Sequence, residues 1–225
     1  MEEVIIPVRL PNPPITQTTA AAVLDGAIHT FDYKLFGVEG TNSVKLEVST
    51  MPNINLGKRL GYLMRYPHGC VEQTTSSVFP QLYLSDIMDL SKDDKQDIEK
   101  NIKAGIQRLR SMQITNGGMG YWPGAQMAND WGTNYAGHFM ILAEKKGYAL
   151  PAGFKKSWIS FQNTRANQWN SRASANGYGL SSHQLTQAYR LYTLALAGKP
   201  NLGAMNRLRE NNKLTMNAAW RLAAA

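Results

Sequence analysis

The apolar residues of this chain change their period near residue 51, and that change limits what each part can fold into. Before it the sequence runs in short alternating stretches, VIIPVRL, AIHTFDYKLFGV and SVKLEVST, separated by PNPP and EGTNS. Val44, Leu46 and Val48 recur at every second position, the spacing that lays one face of an extended segment on a core. After MPNINL the spacing becomes three and four. Ile98, Ile102, Ile106, Leu109 and Met112 make one stripe along SKDDKQDIEKNIKAGIQRLRSMQ, which opens with the capping pair Ser91 and Asp94 and stops at NGG. The spacing predicts about three β-strands over residues 1–50. It predicts helices over this stretch and near 56–65, 71–89, 131–146, 152–168, 182–197, 201–211 and 213–224. Three strands with open edges are a poor independent unit, so a partner sheet is expected outside the chain.

A faint repeat runs through the helical part. TNYAGHFMILAEKKG lies over TQAYRLYTLALAGKP with Thr133 on Thr186, Phe139 on Tyr192 and Ile141 on Leu194, a period of 53 residues. Those two helices are apolar or small almost all round, whereas the helix after Ser91 carries one apolar stripe among charges. Alternation of fully buried with half-exposed helices suggests an α/α toroid, with an irregular bundle as the alternative.

Composition excludes several classes. An excess of 24 Lys and Arg over 16 Asp and Glu gives a net charge of +8, but KKGY, FKKSW and RLRE are short and scattered, not the clustered stripe that binds nucleic acid. No apolar run approaches the roughly 18 to 20 residues of a membrane helix. The first residues, MEEVIIPVRLPNPP, lack the basic and apolar regions of a signal peptide, so the chain reads as cytosolic or as a piece of an exported protein. A single cysteine, Cys70, can neither close an internal disulfide nor build a cysteine-rich metal site. No metal or cofactor is expected.

A lone cysteine is ordinarily a small buried hydrophobe. Cys70 has a different setting: it follows Gly69 in PHGCVEQTTS and opens a helix, where free N–H groups and the helix dipole favour thiolate. Gln73, three residues on, returns to nearly the same face. Attack of the thiolate on the Gln73 side-chain amide carbon, with loss of ammonia, would close an internal thioester in a ring of about fifteen atoms through Val71 and Glu72. Gly69 permits the backbone conformation such a ring needs and Pro67 stiffens its approach. Cys70 is then the leaving group and Gln73 the acyl donor.

GCVEQ resembles the Gly-Cys-x-Glu-Gln signature of the alpha-2-macroglobulin and complement family. LGKRLGYLMRYPHGCVEQTTSSVFPQLYL is similar to the bacterial alpha-2-macroglobulins in particular. The resemblance continues through GGMGYWPG, TNYAGHFMILAEKKGY and LTQAYRLYTLALAGKPNLGAMNRLRE and covers most of residues 40–225. It implies a mainly α chain. Residues 51–225 would be an incomplete α/α-toroid thioester domain, and the β-rich segment 1–50 would be part of a CUB-like domain. It also implies a module of a broad-spectrum protease inhibitor, not an enzyme. After cleavage of a bait region elsewhere in the parent chain, such a module covalently traps the attacking protease through a lysine amine or a hydroxyl. Bacterial members guard the periplasm and cell envelope, so the implied partners are target proteases and the rest of the parent chain, with no nucleic acid and no membrane insertion.

A rival Cys-His hydrolase would need an imidazole beside the thiol. His29 reads as a surface or edge residue, His68 as a packing or capping residue of the loop, and His138 as a buried histidine bonded to an oxygen. His183, in GLSSHQLTQAY, is the candidate general base or acyl acceptor, because family members that prefer hydroxyl targets use a histidine from a later part of the toroid. Tyr121 and Trp122 in GGMGYWPG either shield the thioester from water or plug the toroid rim. Glu72, Gln81 and the Thr74-Thr75 pair are candidates to support the loop. Two other functions compete. An α/α-toroid enzyme acting on carbohydrate or another small substrate lacks an evident carboxylate pair. A non-reactive binding scaffold would need no thioester.

Overall fold

The computed structural model describes residues 15–46, 48, 60–170, 180–211 and 213–225, with the side chains of 180–182 not described. The chain divides into two units, Met1–Pro52 and Asn53–Ala225. In the first, the strands expected over 27–38 and 43–50 do not form among the described residues, which for the second are 43–46 and 48. The chain runs irregularly, with turns at Asp25-Gly26 and over 37–40. Alternation defines a face, but a strand persists only when its ladder and that face are both satisfied. Here Ile28, Phe31, Leu35, Val44, Leu46 and Val48 are all exposed, so neither condition holds. His29 is exposed and meets Phe31 edge to face at 4.5 Å. The VIIPVRL stretch lies outside the described residues.

The second unit is helical. Where a helix over 56–65 is expected, residues 60 and 61 are helical and a turn follows at 62–63, with 56–59 outside the described residues. Helix α1 spans Val71–Val78. The expected run to 89 is broken because Pro80 has no N–H to continue the ladder: Pro80–Leu82 is a 3-10 turn and α2 is a short helix, Leu84–Ile87. Helix α3, Lys92–Met112, carries the expected stripe of Ile98, Ile102, Ile106, Leu109 and Met112 into the core, and Ser91 and Asp94 cap it reciprocally. Helices α4 (Asp130–Lys145), α5 (Phe154–Gln168), α6 (Leu180–Leu196), α7 (Leu202–Arg209) and α8 (Met216–Ala223) follow.

Helices α1, α4, α6 and α8 pack one against the next in that order. Helix α3 packs on α1, α5 on α4 and α6, and α7 on α5, α6 and α8. The architecture is thus a mainly helical α/α arrangement in which α1, α4, α6 and α8 form one continuous row. Small residues make this row tight. At Gly137 of α4 a Cβ would lie 2.2 Å from the Trp158 ring, so that fully buried indole reaches the α4 backbone and donates to the Thr133 carbonyl at 2.8 Å. A polar seam fixes the register of α4, α5 and α6. Asn134 donates to the Thr186 carbonyl (2.9 Å), Gln162 donates to Asn134 (2.6 Å), and buried Arg190 donates to Gln162 and Gln187 and pairs with Asp130 at 3.0 Å. Thr133 and Thr186, which the sequence repeat superimposes, flank this seam.

Candidate functional site

Cys70 sits at the N-cap of α1, extended at φ −74° and ψ 177°, and Gly69 before it has φ +88°. The two residues form a reciprocal cap. The Gln73 backbone N–H points to the Cys70 sulfur, while Gln73 Oε1 accepts the Cys70 backbone N–H at 3.0 Å. N-cap and N3 positions are brought together this way in any capping box; with cysteine and glutamine in place of serine and glutamate, the same geometry gathers a thiol and a carboxamide. Gln73 curls back so closely that a Cβ on Gly69 would stand 2.1 Å from its Oε1 and 2.9 Å from its Cδ. Glycine is required twice over, by the positive φ and by the side chain above it.

The sulfur is buried, at 3% exposure, while Gln73 lies at the surface. Burial pushes the Cys70 thiol up. Hydrogen bonds from the Tyr121 hydroxyl and from the backbone amides of Gln73 and Glu72 outweigh it and leave the thiol below its ordinary value, against the opposing charge of Glu72. Tyr121 is correspondingly raised, chiefly by that same hydrogen bond. Its carbonyl also accepts the Val71 N–H at 3.1 Å, so the glycine-rich turn grips α1 through both its main chain and its ring. Trp122 sets its ring against Tyr121 at 6.0 Å, and both rings are partly open to solvent.

Around this pair, Pro67 is buried and Glu72 half-buried in the first turn, where its charge complements the helix dipole. Thr75 donates to the Val71 carbonyl (2.7 Å). Gln81 donates to the carbonyls of Arg65 and Ser77 (both 2.8 Å) and accepts from Asn101 (3.1 Å), tying the approach to the loop, the end of α1 and helix α3 together. Arg108 of α3 is a site residue that the sequence does not announce. Its Nη2 and Nε donate to the Gly69 carbonyl at 2.7 and 3.2 Å, and Nε also reaches Thr74 Oγ1 at 3.2 Å. On sequence it is one of two arginines in QRLRSM, and only its meeting with a residue 39 positions earlier separates it from Arg110.

The histidines lie elsewhere. His68 is exposed and bonds the Tyr66 carbonyl through Nδ1 at 3.0 Å. His138 bonds the Tyr189 hydroxyl at 3.0 Å, and burial, with Arg221 and Lys145 nearby, pushes it down to about 4. His183 stacks on Trp169, whose Nε1 donates to its Nδ1 at 2.9 Å. Among the described residues, His183 makes no hydrogen bond or ring contact with Cys70, Gln73 or Tyr121. Burial, with Arg190 next, pushes its imidazole down. No cluster of metal-ligating side chains occurs among the described residues. At the start of α1 the arrangement gathers a thiol held partly toward thiolate, under a tyrosine, beside the Gln73 carboxamide.

The fold is of the helical α/α class, and the chain belongs to the A-macroglobulin TED domain family, whose model matches residues 43–165. The similarity extends to bacterial alpha-2-macroglobulins. The protein from Escherichia coli is 32% identical over 123 residues, which are 51% of this chain and 7% of that protein. The protein from Xylella fastidiosa is 27% identical over 180 residues, 76% of this chain and 11% of that protein. Among solved structures, Salmonella alpha-2-macroglobulin reacted with methylamine superimposes with a TM-score of 0.60 at 27% identity. A tyrosine-to-glycine mutant of the Salmonella protein gives 0.61 at 29%, and both alignments cover 76% of this chain and 12% of the other. The chain thus spans about a tenth of the length of the relatives it matches.

Proposed function

We propose that this chain is the reactive module of a bacterial protease inhibitor of the alpha-2-macroglobulin type, in which Cys70 and Gln73 form an internal thioester. The observation that carries this reading is the reciprocal cap, which gathers the thiol and the carboxamide into one turn of α1. In the forming step the Cys70 sulfur attacks Gln73 Cδ, the C–N bond breaks, and the thiol proton leaves with the amide nitrogen as ammonia. In the trapping step a target lysine amine attacks Cδ, the C–S bond breaks as the amide forms, and the departing thiolate takes up the proton that the amine loses. The hydrogen bonds that hold the Cys70 thiol low favour both its attack and its departure.

Tyr121, with Trp122 behind it, closes the sulfur from water in the resting state. Pro67 and Gly69 shape the loop, and Glu72 adds its backbone amide at the sulfur. His183 keeps Nδ1 on Trp169, so its remaining nitrogen carries a proton and has no lone pair to offer an acyl carbon. That favours direct transfer to amines over a histidine relay to hydroxyls. The α/α row is part of a toroid, and segment 1–50 belongs to a neighbouring CUB-like domain. The parent protein works in the periplasm or at the cell envelope, with proteases as its covalent targets. The test is to incubate the protein with a fluorescent primary amine and map the label by peptide mass spectrometry. The expected result is label on Gln73 alone, abolished by Cys70→Ser. Label retained in Cys70→Ser, or found only on other glutamines, would overturn the reading.

A further inference from the structure

The clamp on the carbonyl of Gly69 and the hydrogen bond to Gln73 involve the same peptide group. In a trans peptide, C=O and N–H point to opposite sides. Here the Gly69 carbonyl faces the forked guanidinium of Arg108, at 2.7 and 3.2 Å, while the Cys70 N–H on the other side faces Gln73 Oε1 at 3.0 Å. Arg108 is half-buried near the C-terminal end of α3, and the helix there is anchored by Leu109 and Met112, both buried in the core. Thr74 Oγ1 accepts from the same guanidinium, which fixes the fork relative to the second turn of α1.

Gln73 Oε1 is the oxygen on which negative charge collects whenever Cδ becomes tetrahedral, whether the sulfur attacks it or an amine does. A donor already aimed at that oxygen lowers both barriers, and a cation on the carbonyl of the same peptide makes the N–H a stronger donor. From this we infer that Arg108 is a positioning residue for the acyl transfer, acting through the Gly69–Cys70 peptide to hold and polarise the N–H that receives the oxyanion of Gln73. The inference rests on the thioester reading above and adds a residue to it. The atom balance is unchanged: the sulfur–carbon bond forms as the carbon–nitrogen bond breaks, and Arg108 neither gains nor loses a proton.

The role separates from a structural one by the direction of its effect. An arginine that merely sealed the loop would, when removed, let amines in faster. An arginine that supports the oxyanion would, when removed, slow closure and opening alike. Loss of a direct oxyanion donor slows reaction by about 10² to 10³, and a change of roughly 10–30% in that donor's strength, passed through one peptide, corresponds to a slowing of roughly two- to eightfold.

The experiment uses the whole chain as wild type, Arg108→Met and Arg108→Lys. Closure is followed by the loss of ammonia in intact mass, opening of the closed molecules by methylamine, and protection of the Cys70 amide by hydrogen exchange, with thermal melting to register the fold. The expected result is roughly two- to eightfold slower closure and opening in Arg108→Met, with a deprotected Cys70 amide, and an intermediate effect in Arg108→Lys. Wild-type or faster opening in Arg108→Met overturns the inference while leaving the thioester intact. If the wild type never loses ammonia, the thioester reading fails. The clamp is then judged on the Cys70 amide alone: deprotection in Arg108→Met supports it and retained protection overturns it.

Discussion

Gly69→Ala isolates the geometry on which the site depends. Two costs arise. The backbone at φ +88° is strained for any residue with a Cβ, by about 1–2 kcal/mol. The added methyl would also stand 2.1 Å from Gln73 Oε1 and 2.9 Å from Gln73 Cβ and Cδ. The contact with Cβ means that moving the tip of the side chain cannot relieve it. Gln73 has to leave, and its hydrogen bond to the Cys70 N–H, worth about 1 kcal/mol, goes with it. Gly147 is the control: its φ is +92° and nothing lies within 4 Å of its would-be Cβ. Gly147→Ala, with the strain alone, should melt roughly 2–8 °C lower, and Gly69→Ala, which also loses the hydrogen bond, roughly 4–12 °C lower for a chain of this size. Only Gly69→Ala should lose closure, because moving the acyl carbon by an ångström costs about 10² in rate. Intact mass after expression and melting by differential scanning fluorimetry read the two effects separately. Full loss of ammonia in Gly69→Ala, or equal loss of closure in Gly147→Ala, would refute the reasoning.

Further predictions follow from the surroundings. Tyr121→Phe removes the hydroxyl that helps hold the Cys70 thiol low, so in a Gln73→Ala background the iodoacetamide alkylation midpoint should move to higher pH; an unchanged midpoint would remove Tyr121 from the site. His138 is pushed from 6.5 to about 4 in the folded chain. The unfolded state therefore binds the proton first, stability should fall as pH drops from 6.5 toward 4, and His138→Phe should flatten that decline in denaturant titrations. Gly137→Ala drives a methyl into Trp158 at 2.2 Å and should cost roughly 1–3 kcal/mol, read from the same titrations.

The parts of the fold that the sequence displayed were local ones. The stripe of α3 was visible because burial of one helix face imposes a spacing of three and four, and the pair Cys70 and Gln73 because N-cap and N3 share a face. The break at Pro80 was missed, because the apolar run through Leu82 and Leu84 reads as one helix over 71–89 until the missing N–H is counted. No strand forms among the described residues of 27–38 and 43–50, because alternation reports which side chains share a face and not whether anything covers it. Arg108 was hidden for a different reason. Its partner lies 39 residues away, and no local pattern records that a guanidinium on α3 will meet a carbonyl before α1. Tyr121 stood out as an aromatic in a glycine turn, but its hydroxyl on sulfur and its carbonyl on Val71 belong to the packing.

The central claim is that Cys70 and Gln73 become one acyl group, and intact mass before and after methylamine tests it most directly. The freshly folded protein should weigh about 17 Da less than its sequence, then gain about 31 Da on treatment and expose one titratable thiol, with both changes absent from Cys70→Ser. A mass equal to the unmodified sequence, unchanged by methylamine, would contradict the account.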